Sequence, residues 1–458
     1  MGSIDHARLA ELERLGSKHF WPHNRPIGHV AEDGVRVVVR GEGIWVEDAR
    51  GKRWLDMMSG MWLKNVGHGR KEIAEAVARQ MEALSYAPGG TVSPVTIELA
   101  ARIAAHAPDK ESRVFFVSGG GEAVETALKM ARRYHRHRKE PGRYKIIGRR
   151  GSFHGATLAT IGIGLSPSLA PSEYGPYLPG CVQVAQVDHF RCPFCKDRPA
   201  CTSECARDLE RAILHEGPST VAAFIAEPIS SAHGVHVPPP DYWPTVRKIC
   251  DRYGVVLIVD EVVTGLGRTG KMFAIEHWGV QPDIITVAKG LTSGYLPIGA
   301  AIASKRFADT FAVPDGFRHL VTFGGNPASC AAGLANLDIL EREHLVENSA
   351  RLGVYLLERL GELRQYPIVV DVRGLGLLCA VELARDRQTR EPFPPEVGMM
   401  KLVDAAFTEH GLLGRGLDTI HIAPPLSITR DEIDELVSRL HKVLVDLTAR
   451  LSGSMAAP

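Results

Sequence analysis

The order of apolar and polar positions divides this chain into strands and helices before any chemistry is considered. Two short apolar runs, Val255 to Val259 and Ile284 to Val287, have the length and β-branched content of strands buried in a parallel sheet. Arg113 to Val117, Lys145 to Ile147 and Val221 to Ile225 read as further short strands. Elsewhere the period changes. Lys71 to Leu84 carries Ile73, Val77 and Met81 at helical spacing. Thr96 to Ala105, Glu122 to about Arg138 and Tyr242 to Tyr253 are also predicted helices. Residues 35–58 alternate as short strands, with turn-like breaks at Gly41-Glu42-Gly43 and Asp48-Ala49-Arg50-Gly51, and so predict a small meander. A long helical region then reaches about Leu363. Strands near Val369–Val372 and Leu377–Glu382, a strand-like Thr419-Ile420-His421-Ile422 and an amphipathic helix from Asp431 to Leu447 complete the pattern.

The two strongest apolar runs each end in charge. Asp260-Glu261 follows the first and Lys289 follows the second. Open parallel sheets place their chemistry outside the carboxyl ends of the strands, so the acid and the lysine are expected in one crevice. A lone lysine after a strand is usually a solvated residue; the pair, with glycines around it, points further. One chemistry that needs both is that of pyridoxal phosphate, with a lysine for the Schiff base and an acid for the pyridinium nitrogen. Ser118-Gly119-Gly120-Gly121 lies between a strand and a helix opened by Glu122. The unpaired N–H groups and macrodipole of such a helix start suit a phosphate, although a tight turn without ligand reads the same way.

Six motifs extend this picture: SGGGEAVETALKMAR at 118–132, GSFHGAT at 151–157, AEPI at 226–229, DEVVTGLGRTG at 260–270, AKG at 288–290 and TFGGNP at 322–327. In this order they resemble the class III aminotransferases, pyridoxal-phosphate enzymes of fold type I, over nearly the whole chain. The resemblance implies an α/β protein with a large domain around a mostly parallel central sheet and a smaller α+β domain. The expected divisions are 1–74 and 329–458 for the two parts of the small domain and 75–328 for the large one. It implies pyridoxal 5′-phosphate as cofactor and transfer of an amino group from an amine or ω-amino acid to a keto acid. Pyruvate is the preferred acceptor, with 2-oxoglutarate open. Racemases or epimerases, aminomutases and dialkylglycine decarboxylases share the fold and remain the alternative.

Residue roles follow from the same resemblance. Lys289 forms the imine with the cofactor and Asp260 holds the ring nitrogen. Phe153 stacks on the ring where most relatives carry tyrosine, and Val262 packs on the opposite face. His154 and Glu227 belong to the site. Gly119, Gly120 and Gly121 form the phosphate turn, with glycine at two positions where the family carries hydroxyl residues. Thr322 donates to the phosphate in the neighbouring subunit, and the segment of Tyr86 crosses to that subunit's site. This implies a homodimer or a dimer-based tetramer. Phe20, Trp62, Tyr86, Ala232 and Arg415 are the substrate-side candidates. Trp62 reads equally well as a core plug. Arg415, in GLLGRG, resembles the mobile arginine that pairs with a keto acid's carboxylate, a match suited to its planar fork.

Composition removes several classes. The chain has 458 residues, 45% hydrophobic and 23% charged, with net charge +1. That balance gives no reason to expect nucleic acid or a membrane surface as partner. The basic run RRYHRHRK at 132–139 is expected to be a solvated helix end. No apolar run reaches membrane-span length, the start lacks a signal-peptide core, and a cytoplasmic location is the default. Four of the eight cysteines, Cys192, Cys195, Cys201 and Cys205, are spaced C-x2-C-x5-C-x3-C. Four thiolates can close a zinc site, but a surface insertion with free thiols fits the spacing too. The expected chemistry needs no metal, and none is assigned.

Overall fold

The structure is a computed structural model that describes residues 4–23, 34–188, 190–195 and 201–455. In chain order its strands are β1 (Val38–Glu42), β2 (Trp45–Asp48), β3 (Arg53–Asp56), β4 (Arg113–Val117), β5 (Lys145–Arg149), β6 (Cys181–Val184) and β7 (Val221–Ala226). They continue with β8 (Val256–Asp260), β9 (Ile284–Val287), β10 (Gly299–Ala303), β11 (Val369–Leu375), β12 (Leu378–Leu383), β13 (Leu412–Leu413) and β14 (Thr419–Ile422).

A seven-stranded sheet, in the order β4-β10-β9-β8-β7-β5-β6, forms the centre. Its pairs from β9 through β6 are parallel, whereas β10 runs antiparallel to both β4 and β9. The apolar runs expected as parallel strands are β8 and β9, and every residue of both is buried. Helices cover the faces, as parallel connections require. The helix Gly120–His137 lies against β7, β9 and β10. Its buried Val124, Ala127, Leu128 and Ala131 form one stripe at helical spacing. In the β8–β9 register Asp260 stands opposite Thr286. Lys289 therefore leaves the sheet one short turn beyond that pair.

The expected meander is present: β1 pairs antiparallel with β2, and β2 with β3. A fourth strand was not legible in the pattern. β13 pairs parallel with β3, Leu412 beside Leu55 and Leu413 beside Asp56, so segments far apart in the chain share this sheet. β11, β12 and β14 make a third, antiparallel sheet. The last helix is longer than its apolar repeat suggested, spanning Arg430–Met455, with Leu436, Leu440, Val443, Leu444 and Leu447 fully buried. Arg268 binds the pieces together. Its guanidinium donates to the carbonyls of Leu377 and Pro424 and to Asn65 Oδ1 at 2.8 Å.

Two expectations change here. The basic run at 132–139 is not wholly a solvated face. His135 is buried, with Nδ1 2.8 Å from Glu140 Oε2 and Nε2 2.9 Å from the Ala222 carbonyl. The cysteine segment is not simply a surface insertion, because Cys192, Cys195 and Cys205 belong to the main core cluster. Among the described residues no helix is long and apolar enough to cross a membrane.

Candidate active site

The chemistry gathers at the carboxyl ends of β7, β8 and β9. Asp260 ends β8 and is buried. Its Oδ1 accepts the Val262 backbone N–H and the Thr286 hydroxyl, each at 3.1 Å. Its Oδ2 lies 2.7 Å from His154 Nδ1. Three partners on one carboxylate fix its direction. The far ring nitrogen, His154 Nε2, is buried without a partner among the described residues.

Lys289 is half-buried, and its backbone sits in the left-handed region at φ 41°. A non-glycine residue held there carries backbone strain, which recurs at functional sites. Its ammonium lies over the Trp62 ring, 5.4 Å from the centroid. Burial pushes the amine down to about 8, against the opposing charges of Asp260 and Glu227, and Arg415 lowers it further. The expected acid–lysine pair thus shares one site, and Glu227 and Arg415 act on the same amine.

Glu227 follows β7 and is buried. Its Oε2 accepts the Ser231 N–H at 3.0 Å, whereas Oε1 has no partner among the described residues. Burial raises this carboxyl above its ordinary range, and the nearby Asp260 charge adds to the effect. Arg415 is half-buried, and burial lowers its guanidinium. Its flanking glycines serve packing. A Cβ on Gly416 would stand 2.3 Å from the Met400 carbonyl, and one on Gly414 2.1 Å from Met57 Cε. The backbone on both sides of Arg415 is therefore closely packed.

The glycine turn distinguishes its three members. A Cβ on Gly120 would meet Val262 Cγ1 at 3.0 Å, on Gly119 nothing within 4 Å, and on Gly121 only ordinary contacts at 3.9 Å. Only the middle position demands glycine on steric grounds. Gly119 stands at the start of the helix Gly120–His137, which has no side-chain cap, so its first N–H groups lack that partner.

Trp62 is buried, and its φ of 59° turns it out of the preceding turn toward Lys289. Its ring meets His421 edge-on, with centroids 5.5 Å apart, and its Nε1 has no partner among the described residues. Trp62 is thus packed in the core and lies against Lys289 at once. His421 itself, on β14, escaped the sequence reading. Burial and the charges of Arg415 and Arg373 push its imidazole down to about 4, which keeps it neutral at ordinary pH. Thr286 and Arg149 were also missed. Arg149 ends β5, is fully buried and donates through Nη2 to the Glu227 carbonyl.

Other candidates lie apart. Phe20 is 52% exposed after the first helix. Tyr86 is 44% exposed, donates to the Thr322 carbonyl at 3.0 Å and packs edge-on against Phe323. Thr322 itself is exposed and lines a surface cleft of about 630 Å³ with Ser118, Glu122 and Thr157. Ala232 is half-buried on the loop after Glu227, and Phe153 is half-buried after β5.

These residues suit a phosphorylated pyridine aldehyde. An amine, a fixed carboxylate, two unpartnered buried polar atoms at His154 and Glu227, and an uncapped helix start over a glycine cradle are the groups such a molecule would occupy. Sheet order and the lysine and acid at neighbouring strand ends define a fold type I pyridoxal-phosphate-dependent transferase. A family model described as aminotransferase class-III matches residues 28–444. A probable aminotransferase of Mycobacterium tuberculosis is 44% identical over 439 residues, covering 93% of this chain and 92% of its own. The putrescine–pyruvate aminotransferase of Pseudomonas aeruginosa is 37% identical over 451 residues, covering 97% and 98%. The crystal structure of a thermostable (S)-enantioselective omega-transaminase from Thermomicrobium roseum matches with a TM-score of 0.91 at 42% identity, covering 97% of this chain and 99% of that one. The chain belongs to the class III aminotransferases: it is a transaminase, and its cofactor is pyridoxal 5′-phosphate.

Proposed function

We propose that this transaminase moves an amino group from an amine or ω-amino acid to a keto acid, with pyruvate as acceptor, and that Lys289 and Asp260 carry the chemistry. The observation that carries the reading is the environment of Lys289 Nζ. It lies over Trp62 with its proton affinity lowered, and it feels Asp260, Glu227 and Arg415 together. When bound, pyridoxal phosphate supplies an electrophilic carbon and an electron-accepting ring. Lys289 anchors that carbon through Nζ. With the cofactor bound, the Lys289 amine would carry the proton at the donor carbon, a role suited to an amine that titrates near neutrality. Asp260, oriented by Thr286, the Val262 N–H and His154, would pair with the ring nitrogen and keep it protonated.

Phe153 and Val262 would pack on the two faces of the ring. The N–H groups at Gly119, Gly120 and Gly121 would hold the phosphate, with Thr322 of a neighbouring copy as a further donor. Trp62 and Ala232 bound the donor side, and Arg415 receives the keto acid's carboxylate through its planar fork. The name of the Pseudomonas relative supports an amine donor and pyruvate. Exposed Tyr86 and Phe323, in edge-on contact, and Leu320 in the same cleft as Phe323 support a homodimer or dimer-based tetramer, because apolar side chains of this size on one region of a surface mark an interface. Phe20 and Tyr86 then reach a site only in that assembly. The division into 1–74, 75–328 and 329–458 belongs to the same proposal, and the β3–β13 pairing supports joining its first and third parts. So does a cytoplasmic home.

A panel of amines tested against pyruvate and 2-oxoglutarate checks the reading. Turnover with pyruvate and simple amines is expected. Arg415→Ala should raise the KM for pyruvate about tenfold or more, the size of a lost charge-assisted pair, and spare the KM for an amine without a carboxylate. Equal loss for both would remove Arg415 from acceptor binding, and turnover only with 2-oxoglutarate would remove pyruvate.

A further inference from the structure

The turn that follows Glu227 carries two histidines that the transfer chemistry does not use. Gly234 and Val235 both have positive φ, at 124° and 58°, and their N–H groups both reach the Ser231 carbonyl, at 3.2 and 3.1 Å. A β-branched residue in that region is an outlier that its surroundings must hold, and Val235 is fully buried. The turn sets His233 and His236 side by side, with ring centroids 5.6 Å apart. His236 is fixed by two backbone bonds: its carbonyl accepts the Ser230 N–H at 3.1 Å, and its N–H donates to the Ser230 carbonyl at 3.2 Å. His233 packs so closely on Gly151 that a Cβ there would stand 2.6 Å from its Nδ1.

Asp188, on the loop after β6, meets this pair from a separate segment. Asp188 and His236 are 4% and 6% exposed, and His233 is half-buried. The carboxylate is already oriented. Its Oδ1 accepts the N–H groups of Phe190 and Arg191 at 3.0 and 3.2 Å. Its Oδ2 lies 3.9 Å from His236 Nε2, a gap too wide for a hydrogen bond. One ligand atom from each of Asp188, His233 and His236 lies within 4.8 Å of the other two. Zinc takes N and O ligands at about 2.0–2.2 Å, so ligand atoms around it stand about 3.3 Å apart. Closing the set therefore needs shifts of about 1.5 Å at most, within reach of side-chain rotation. The cations nearby have partners of their own. Arg191 and Arg373 pair with Glu382, Arg373 also pairs with Asp371 at 3.0 Å, and Arg149 has the Glu227 carboxylate as its electrostatic partner. Arg191 Nη1 also stands 3.5 Å from Asp188 Oδ2, at the outer limit of a hydrogen bond, so the Asp188 charge is left for an ion.

We infer that Asp188, His233 and His236 bind zinc, or a divalent ion with the same taste in ligands, with water in the fourth position. Two imidazoles and a carboxylate are a set that zinc sites with an open position use. The two N–H groups on Oδ1 give the carboxylate the outer support that metal-ligating acids have. His233, the half-buried member, leaves the outer side of the site open to the ion and its water. Once bound, the ion ties the loop after β6 to the turn that carries Ala232. No thiol takes part. An ordered water would also span the gap, and the test separates the two occupants.

The holoenzyme is stripped with a chelator and titrated with zinc chloride in a calorimeter. Saturation at about one zinc per chain is expected. His233→Ala and Asp188→Asn should each weaken binding at least about tenfold, and Cys195→Ser should leave it unchanged. Zinc should raise the thermal midpoint of the unaltered protein and not that of His233→Ala. Cobalt(II) in the unaltered protein should give the visible bands of a four-coordinate nitrogen and oxygen site, a readout that stands even if Asp188→Asn folds poorly. Water alone in the gap predicts no heat of zinc binding and no cobalt bands, and that result would overturn the inference. So would zinc binding that survives in His233→Ala, or that is lost in Cys195→Ser.

Discussion

At the scale of single residues, the glycine turn makes the sharpest test. Gly120→Ala places a methyl 3.0 Å from Val262 Cγ1, so the turn or the valine must shift. Overpacking of this kind costs about 1–3 kcal/mol, and cofactor affinity is expected to fall about tenfold or more. Gly119→Ser meets nothing within 4 Å and adds a hydroxyl at the uncapped helix start, so the cofactor should be held more tightly. Cofactor dissociation measured for both variants checks the pair of expectations. Lys289 supplies a pH test. Its amine is pushed down to about 8, and only the unprotonated form attacks an aldehyde. Capture of pyridoxal phosphate by the apoenzyme should therefore quicken as pH rises toward about 8 and level off above it. A rate still climbing steeply to about pH 10, the range of an ordinary lysine, would contradict the lowered amine.

At the scale of elements, the boundary between legible and hidden is physical. β8 and β9 were legible because an apolar run ending abruptly in charge is a local signal. The same holds for the helix after the glycine turn. β13 is two residues long and owes its existence to pairing with β3, so nothing local announces it. His421 was hidden for a related reason: β14 was recognised as a strand, but which face meets Trp62 depends on how the third sheet packs on the first. The helix Lys71–Ala83 shows the converse. Of its periodic residues only Ile73 is buried, while Met81 is 55% exposed, so its apolar stripe points partly outward from this chain. Arg268 joins three elements through buried carbonyl partners. Arg268→Met should lower unfolding free energy by about 2–4 kcal/mol, because it leaves buried acceptors unpaired. Denaturant titration reads this directly, and a neutral result would show that the carbonyls find water.

At the scale of the whole molecule, the exposed positions of Tyr86 and Thr322 turn on a second copy. Coexpression of Thr322→Ala and Lys289→Ala chains distinguishes the arrangements. If Thr322 serves the neighbouring site, the mixed dimer retains one intact site and about half the wild-type rate. If it serves its own, the only site with a lysine lacks the threonine, and the rate falls well below half.

The most direct measurement concerns Lys289 itself. Borohydride reduction of the holoenzyme, followed by peptide mass spectrometry, should place the pyridoxyl group on the peptide containing Lys289, and Lys289→Ala should take up no label and show no transamination. A label on another lysine, or turnover that persists in Lys289→Ala, would contradict the account.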